Sequence, residues 1–328
     1  MSNKPLVSIC TPVYNGERHL EDCIKSVLCQ TYENYEYIIV DNASTDSTPV
    51  IIDRYKKVDK RIKTFRNEKT VCMEDNCNLC STHCSDESEW IKYALADDYL
   101  FPDCVEKMVL VGESDKEIGI VSAYRMAGNM VTNMGLPMEQ NVFEGPQILK
   151  QQILRKLHVA SSSPNTVMYR KRVFDELKGF DNKYDHSDTE MAFRLLDKYK
   201  LGFSHYVLTK SGREQGGGEY RSIMRGNKTR EYLAFGYKNI KKYDSVDFEQ
   251  HELRELRKYY TNEIADFIAT KLGYFEWGDI RRLLAETPAD IKDELKRTYM
   301  RHPFHFMKKY LKSLYNTGNH MREKRARG

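Results

Sequence analysis

A doubly wound α/β fold with a mainly parallel sheet is what this sequence predicts, on three observations. Short apolar, β-prone runs alternate with segments of helical periodicity from residue 6 to residue 123. Polar clusters directly follow three of those runs, at 11–15, 41–46 and 97–98. Sheets of this kind bind ligands at the carboxyl ends of their strands, where all three clusters fall. The third cluster is the sharpest: WIKYALADDYLFP reads as a strand over 90–96 that runs into two adjacent carboxylates, Asp97 and Asp98. Held at a strand end, such a pair suits a hard divalent cation, Mg²⁺ or Mn²⁺, together with phosphates. An acidic loop in solvent is the plain alternative.

Each element follows from its own residues. Residues 6–11 form a short strand that ends at Pro12, and Tyr14-Asn15-Gly16 is turn chemistry. Over 17–30, Leu20, Ile24, Val27 and Leu28 recur with helical spacing. YEYIIV, 35–40, is a near-continuous buried-strand run. The capping-rich loop DNASTDST leads into a helix over 48–57. A strand at 62–66, a helix at 73–84, the strand at 90–96, a helix at 101–114 and a strand at 118–123 complete the alternation. Residues 124–160 are less regular. A strand at 163–170, a short helix at 173–177, a turn at 179–181 and a helix at 189–198, preceded by Asp188, follow. Gly216–Gly218 marks a loop, and from about residue 224 the chain reads as mostly helical. This divides the chain into an α/β domain, 1–225, and a helical extension, 226–328.

Composition narrows the class. The 328 residues contain no run of eighteen apolar residues, so no membrane span is expected. The opening MSNKPLVSICTPVYNGE lacks the apolar core of a signal peptide, which predicts a cytoplasmic chain. All eight cysteines lie in the first third. Cys77, Cys80 and Cys84 follow i, i+3, i+7 and read as a helix stripe of small hydrophobes, since no second close pair completes a zinc site. No GxGxxG follows the first strand and no GxxxxGK[ST] occurs, which speaks against a dinucleotide fold and a P-loop. The formal charge of +4 is uneven: residues 301–328 alone carry net +7.

Four segments, in this order, resemble family 2 of the inverting nucleotide-sugar glycosyltransferases, with the GT-A fold. They are VSICTPVYNGERHLEDCIKSVLCQTYENYEYIIVDNASTDST, DNCNL, ALADDYLFP and GFDNKYDHSDTEMAFRL, and the match covers about 5–215. The resemblance implies a sugar donor carried on a nucleotide, UDP first, and a glycan or lipid-linked acceptor. It implies that Pro12 and Tyr14 form the wall on which the base packs, and that Asn42 and Asn76 lie near the base. Asp97 is implied to lie by ribose and phosphate, Asp98 to bind Mn²⁺ or Mg²⁺, and Asp188 to act as catalytic base, with Glu190 and Arg194 completing its helix motif. The nucleotide side would occupy about 1–123 and the acceptor and base side about 124–225. Three residues depart from the family pattern: Leu95 and Asn42 stand where many members have Asp, and Gln215 lies near a common His.

The chemistry wants these groups. A leaving diphosphate builds negative charge that a divalent cation offsets, and an attacking hydroxyl must lose a proton to a carboxylate. For Asp188 the competing reading is a helix cap. A nucleotidyltransferase would need a glycine-rich loop where this chain has TPVYNGE, and a non-catalytic scaffold would show loss of Asp98 or Asp188. The tail 301–328 interleaves Phe304, Met307, Leu311 and Leu314 with basic residues. It reads either as an amphipathic helix for an anionic membrane surface or as a final docked helix. No nucleic-acid module is recognisable.

Overall fold

The structure is a computed structural model that describes residues 4–160, 163–183, 186–212, 242–273 and 277–301. Gln215, the 216–218 glycine run and the tail beyond residue 301 lie outside the described residues. The chain divides into two compact units, Met1–Gly217 and Gly218–Gly328.

The first unit is built on one mixed sheet of ten described strands. These are β1 Leu6–Val13, β2 Tyr35–Asp41, β3 Ile62–Arg66, β4 Ser88–Tyr93, β5 Tyr99–Leu100, β6 Ile118–Ala127, β7 Met130–Thr132, β8 Val142–Phe143, β9 Val167–Arg170 and β10 Lys200–Ser211. Its order is β3-β2-β1-β4-β9-β6-β10-β5. β3, β2, β1 and β4 are mutually parallel, β9 is antiparallel to both β4 and β6, and β10 is parallel to β6. The carboxyl ends of β1 to β4, β6 and β10 therefore share one edge. The helices are α1 Leu20–Leu28, α2 Thr48–Lys56, α3 Met73–Thr82, α4 Cys104–Gly112, α5 Gly145–Ile153, α6 Lys171–Glu176 and α7 Ser187–Leu196. The sheet is the GT-A type of arrangement that the sequence predicts.

β2 is buried at every residue and β1 at all but its first, which is why both read as continuous apolar runs rather than alternating ones. Helix α1 buries Leu20, Cys23, Ile24 and Val27 on one stripe. On the α4 side, Trp90 is fully buried in a core with Cys104, Val105 and Met108. On the other face, Tyr93, Tyr169, Phe174 and Phe180 make an aromatic cluster with centroids 5.3–6.3 Å apart. Cys10, Cys77, Cys80 and Cys84 are buried free thiols that pack α3 and the residues after it onto the sheet.

Several boundaries differ from the sequence reading, among them the start of β9 at Val167 rather than at 163, and three have a clear local reason. β1 continues through Pro12 to Val13 alongside β2, because its pairing with β4 ends at Cys10 and no N–H is needed on that side at Pro12. β4 stops at Tyr93, not at Ala96: the Thr11 hydroxyl donates to the Ala94 carbonyl at 2.7 Å, and Asp98 N–H closes a turn on the Leu95 carbonyl at 2.8 Å. α7 begins at Ser187, so Asp188 is its second residue and not the residue before it.

In the second unit, α8 Gln250–Gly273 packs against both α9 Trp277–Glu286 and α10 Ala289–Arg301. Leu256, Tyr260 and Ile264 are buried along α8 at four-residue spacing. No described helix is long and apolar enough to cross a membrane.

Candidate active site

At the shared carboxyl edge the first two loops are stitched to each other. Asn15 N–H donates to the Ser44 hydroxyl at 2.9 Å, Gly16 N–H to the Thr48 hydroxyl at 2.8 Å, and Thr45 N–H to the Asn15 side chain at 2.9 Å. Asn15 and Ala43 sit in the left-handed region at φ 48° and 59°, one in each loop. Non-glycine residues hold that conformation where surrounding bonds over-determine it. The result is a rigid shelf on which Tyr14 stands 52% exposed while Pro12 is buried in β1 beneath it. Asp41 is taken up structurally: it accepts from Ser44 N–H at 2.9 Å and pairs with Arg66 at the end of β3.

Asn42 and Asn76 are both buried, and both spend their carboxamides on the chain. Asn42 donates to the Val71 carbonyl and accepts from the Val71 N–H, each at 2.9 Å. Asn67 bridges them, donating to Asn42 Oδ1 and Asn76 Oδ1 at 2.9 Å each. An Asp at position 42 could accept but not donate, so the reciprocal clamp on Val71 requires the amide.

Asp97 and Asp98 follow the turn after β4. Asp98 is 8% exposed, and its Oδ1 accepts the backbone N–H of Gly212 at 3.1 Å. Gly212 follows β10, and a Cβ there would overlap the Asp97 carbonyl oxygen, so only glycine allows this crossing. Below the pair, Lys92 is fully buried and donates to the backbone carbonyls of Tyr93 at 3.2 Å, Val167 at 3.3 Å and Asn165. All three ammonium hydrogens thus have acceptors. Burial still pushes the Lys92 pKa down.

Asp188 reaches the same edge from another direction. Helix α7 leads into β10 at its amino end, so its N-terminus points back toward the strand carboxyl ends. Asp188 is half-buried, and burial raises its carboxyl above the ordinary range against the opposing hydrogen bond from Thr189 N–H at 2.7 Å. The rest of the DTEMAFR segment fixes the helix: Arg194 pairs with buried Glu190 at 2.7 Å and donates to the carbonyls of Leu177 and Gly179. Asn78 on α3 then clamps the following residue, exchanging bonds of 2.8 and 2.9 Å with the Phe180 backbone. Helix α3 therefore ties the Asn76 loops on one side to the Asp188 helix on the other.

The family model described as Glycosyl transferase family 2 matches residues 8–178, just over half of the chain. The chain belongs to glycosyltransferase family 2. Bacillus subtilis (strain 168) EpsE, a glycosyltransferase by name, is 30% identical over 215 residues, 64% of this chain and 73% of EpsE. An uncharacterized glycosyltransferase of Haemophilus influenzae is 33% identical over 124 residues, and the match spans only 38% of either protein. Among solved structures, Staphylococcus aureus TarS 1–349 in complex with UDP-GlcNAc superposes with a TM-score of 0.66 at 16% identity, over 97% of this chain and 92% of that one. A mannosyltransferase of Pyrobaculum calidifontis, PcManGT, in complex with GDP-Man and Mn²⁺, gives 0.58 at 14% identity, over 96% and 88%. Both likenesses concern the fold.

For a family 2 chain the donor set at the end of β4 fits a divalent cation: two adjacent carboxylates offer hard oxygens, with the remaining positions left to phosphate and water. Among the described residues no cluster of three His, Cys, Asp or Glu forms a metal site from protein groups alone. Sequence reasoning missed Asn67, Asn78, Lys92 and Gly212. Asn78 lies inside the DNCNL segment two residues after Asn76, and Lys92 is the one charge in the predicted apolar strand over 90–96. Asn67 and Gly212 carry no local signal.

Proposed function

We propose that this chain is an inverting, metal-dependent glycosyltransferase. It transfers a sugar from a nucleotide-sugar, UDP-linked as first candidate, to a hydroxyl of a cell-surface glycan or lipid-linked precursor. One observation carries the reading: the carboxylate pair Asp97-Asp98 stands on the same edge as exposed Tyr14 and as Asp188, whose burial raises its affinity for a proton. Support comes from the UDP-GlcNAc and GDP-Man with Mn²⁺ held by TarS and PcManGT on the same fold.

Tyr14, above Pro12, stacks on the base. Asn42 and Asn76 shape the base pocket through the loop that they fix. Asp97 orients ribose and phosphate, and Asp98 would hold Mn²⁺ or Mg²⁺. The bound cation supplies charge stabilisation for the departing diphosphate. Asp188 takes the proton from the acceptor hydroxyl as that oxygen attacks the anomeric carbon from the opposite face. Preorganised at a helix start, it needs no reorientation at the moment of reaction. The chain would act in the cytoplasm, with the basic tail as its attachment to an anionic membrane surface, and without a nucleic-acid partner.

A panel of UDP-, GDP- and dTDP-sugars, each with Mn²⁺, Mg²⁺ or EDTA, tests this reading. The expected result is metal-dependent binding and slow hydrolysis of one nucleotide class. Full activity in EDTA would remove the metal. Failure to bind any donor would leave the scaffold reading instead.

A further inference from the structure

Helix α3 touches both halves of the candidate site. Its Asn76 accepts from Asn67 at 2.9 Å, and the same Asn67 carboxamide holds Asn42. Cys77 and Cys80, both buried, pack the helix onto the sheet and fix it to the strands. Another face of α3 turns to the stretch that leads into α7. Glu74 and Asp75 lie four and three residues before Asn78, so the three share that face. Asn182 donates to Asp75 at 3.0 Å, and the Ser187 hydroxyl faces Glu74 at 3.4 Å. Asn78 makes a reciprocal hold on one residue: it donates to the Phe180 carbonyl at 2.8 Å and accepts from the Phe180 N–H at 2.9 Å.

The turn is shaped for that hold. Lys178 and Gly179 are both left-handed, at φ 60° and 66°. A Cβ at Gly179 would stand 2.4 Å from Asn78 Oδ1, so a side chain there would expel the carboxamide. Aspartate at position 78 would have the shape but could not donate to the Phe180 carbonyl. From the other end, Arg194 pairs with Glu190 and donates to the carbonyls of Leu177 and Gly179. Turn and α7 are thus joined from within as one piece, and Asn78 joins that piece to α3. Asp188, the second residue of α7, is thereby placed relative to the Asn42 loop. Phe180 also sits in the aromatic cluster, 5.3 Å from Phe174, so loss of Asn78 removes the directional hold while the fold remains.

We propose that Asn78 is a positioning residue for the transfer reaction: from the helix that fixes the Asn42 loop, it sets where Asp188 stands. That Asp188 takes the proton rests on the glycosyltransferase reading; the hold on its helix does not. The test compares full-length wild type, Asn78→Ala, Asp188→Asn and the double variant, each with Mn²⁺. Three quantities are measured: hydrolysis of UDP-GlcNAc, affinity for UDP, and amide hydrogen exchange at Phe180 and along α7. Asn78→Ala should lower kcat about 10- to 100-fold, as expected of a group displaced by an ångström or so. UDP affinity should stay within about twofold, and exchange should quicken at Phe180 and along α7 while α1 stays protected. Added to Asp188→Asn, the change should cost no more than about twofold further, because both disable the same group. Wild-type kcat in Asn78→Ala, a loss confined to UDP affinity, losses that multiply in the double variant, or unchanged exchange would overturn the proposal. If Asp188→Asn hydrolyses UDP-GlcNAc at the wild-type rate while Asn78→Ala still frees α7, the hold stands and the catalytic-base reading falls. With no hydrolysis by the wild type, exchange and UDP affinity decide the hold by themselves.

Discussion

Asp188 occupies the second position of α7, where the helix dipole favours its charge and burial opposes it. Burial wins, so the folded pKa lies above the unfolded one. The stability linked to this group is therefore present below the unfolded value, ~3.9, and is lost as pH rises through the folded value. Asp188→Asn should raise the melting temperature at neutral pH, and the gain should vanish in acid, where the wild-type carboxyl is also neutral. A gain that grew toward low pH would contradict this sign. The same change should lower turnover about 10²–10⁴-fold with donor affinity nearly unchanged. Asp98→Ala should abolish metal-stimulated transfer in a Mn²⁺ titration while the circular dichroism spectrum stays native. Lys92→Met keeps the bulk of the side chain but leaves the carbonyls of Asn165 and Val167 without this donor. A loss of about 1–3 kcal/mol is expected in urea unfolding, and unchanged stability would mean that relief of the buried ammonium offsets the lost bonds.

Between elements, the decisive contact is the crossing of the chain after β10 over the end of β4. Gly212 donates to Asp98 and lies so close to Asp97 that any side chain must displace one segment. Gly212→Ala should push the carboxylate pair out of register and cost roughly 10²-fold in kcat/KM. Stability should change little, because the overlap lies at the edge of the sheet. Wild-type kinetics in this variant would show that the pair tolerates displacement. Helix α3 plays a corresponding part between the Asn42 loop and the Phe180 turn. The predicted helix there was placed within two residues of its observed end, yet its role as a tie between the Asn42 loop and the Phe180 turn depends on contacts at sequence separations of 9 to 102 residues.

For the molecule as a whole, charge separates the tail from the rest: residues 301–328 carry net +7 while the remaining 300 sum to −3. Each Lys or Arg near an anionic bilayer contributes ~1 kcal/mol at low salt, and the contribution falls as the Debye length shortens. Full-length protein should co-sediment with phosphatidylserine-containing liposomes and be released by salt, whereas a chain ending at residue 300 should stay in the supernatant. Equal sedimentation of both, or of neither, would remove the tail from membrane attachment.

The sequence by itself determined the α/β alternation, the placing of Asp97 and Asp98 shortly after the fourth strand and a helix start within two residues of Asp188. These are local matters: hydrophobic period, turn residues and acid pairs lie within a few positions of one another. It also carried the family, because the four segments that resemble it are contiguous runs. Only the tertiary structure decided that β4 stops at Tyr93, since the Thr11 hydroxyl that takes the Ala94 carbonyl comes from a strand 83 residues earlier. Only the structure shows that Asn42 and Asn76 hold a loop through Asn67, that Lys92 is buried on three carbonyls, and that Gly212 completes Asp98 from 114 residues away. A hydrogen bond is a short-range interaction between atoms in space, and nothing in the order of residues along a chain records which distant backbone groups the fold will bring within 3 Å.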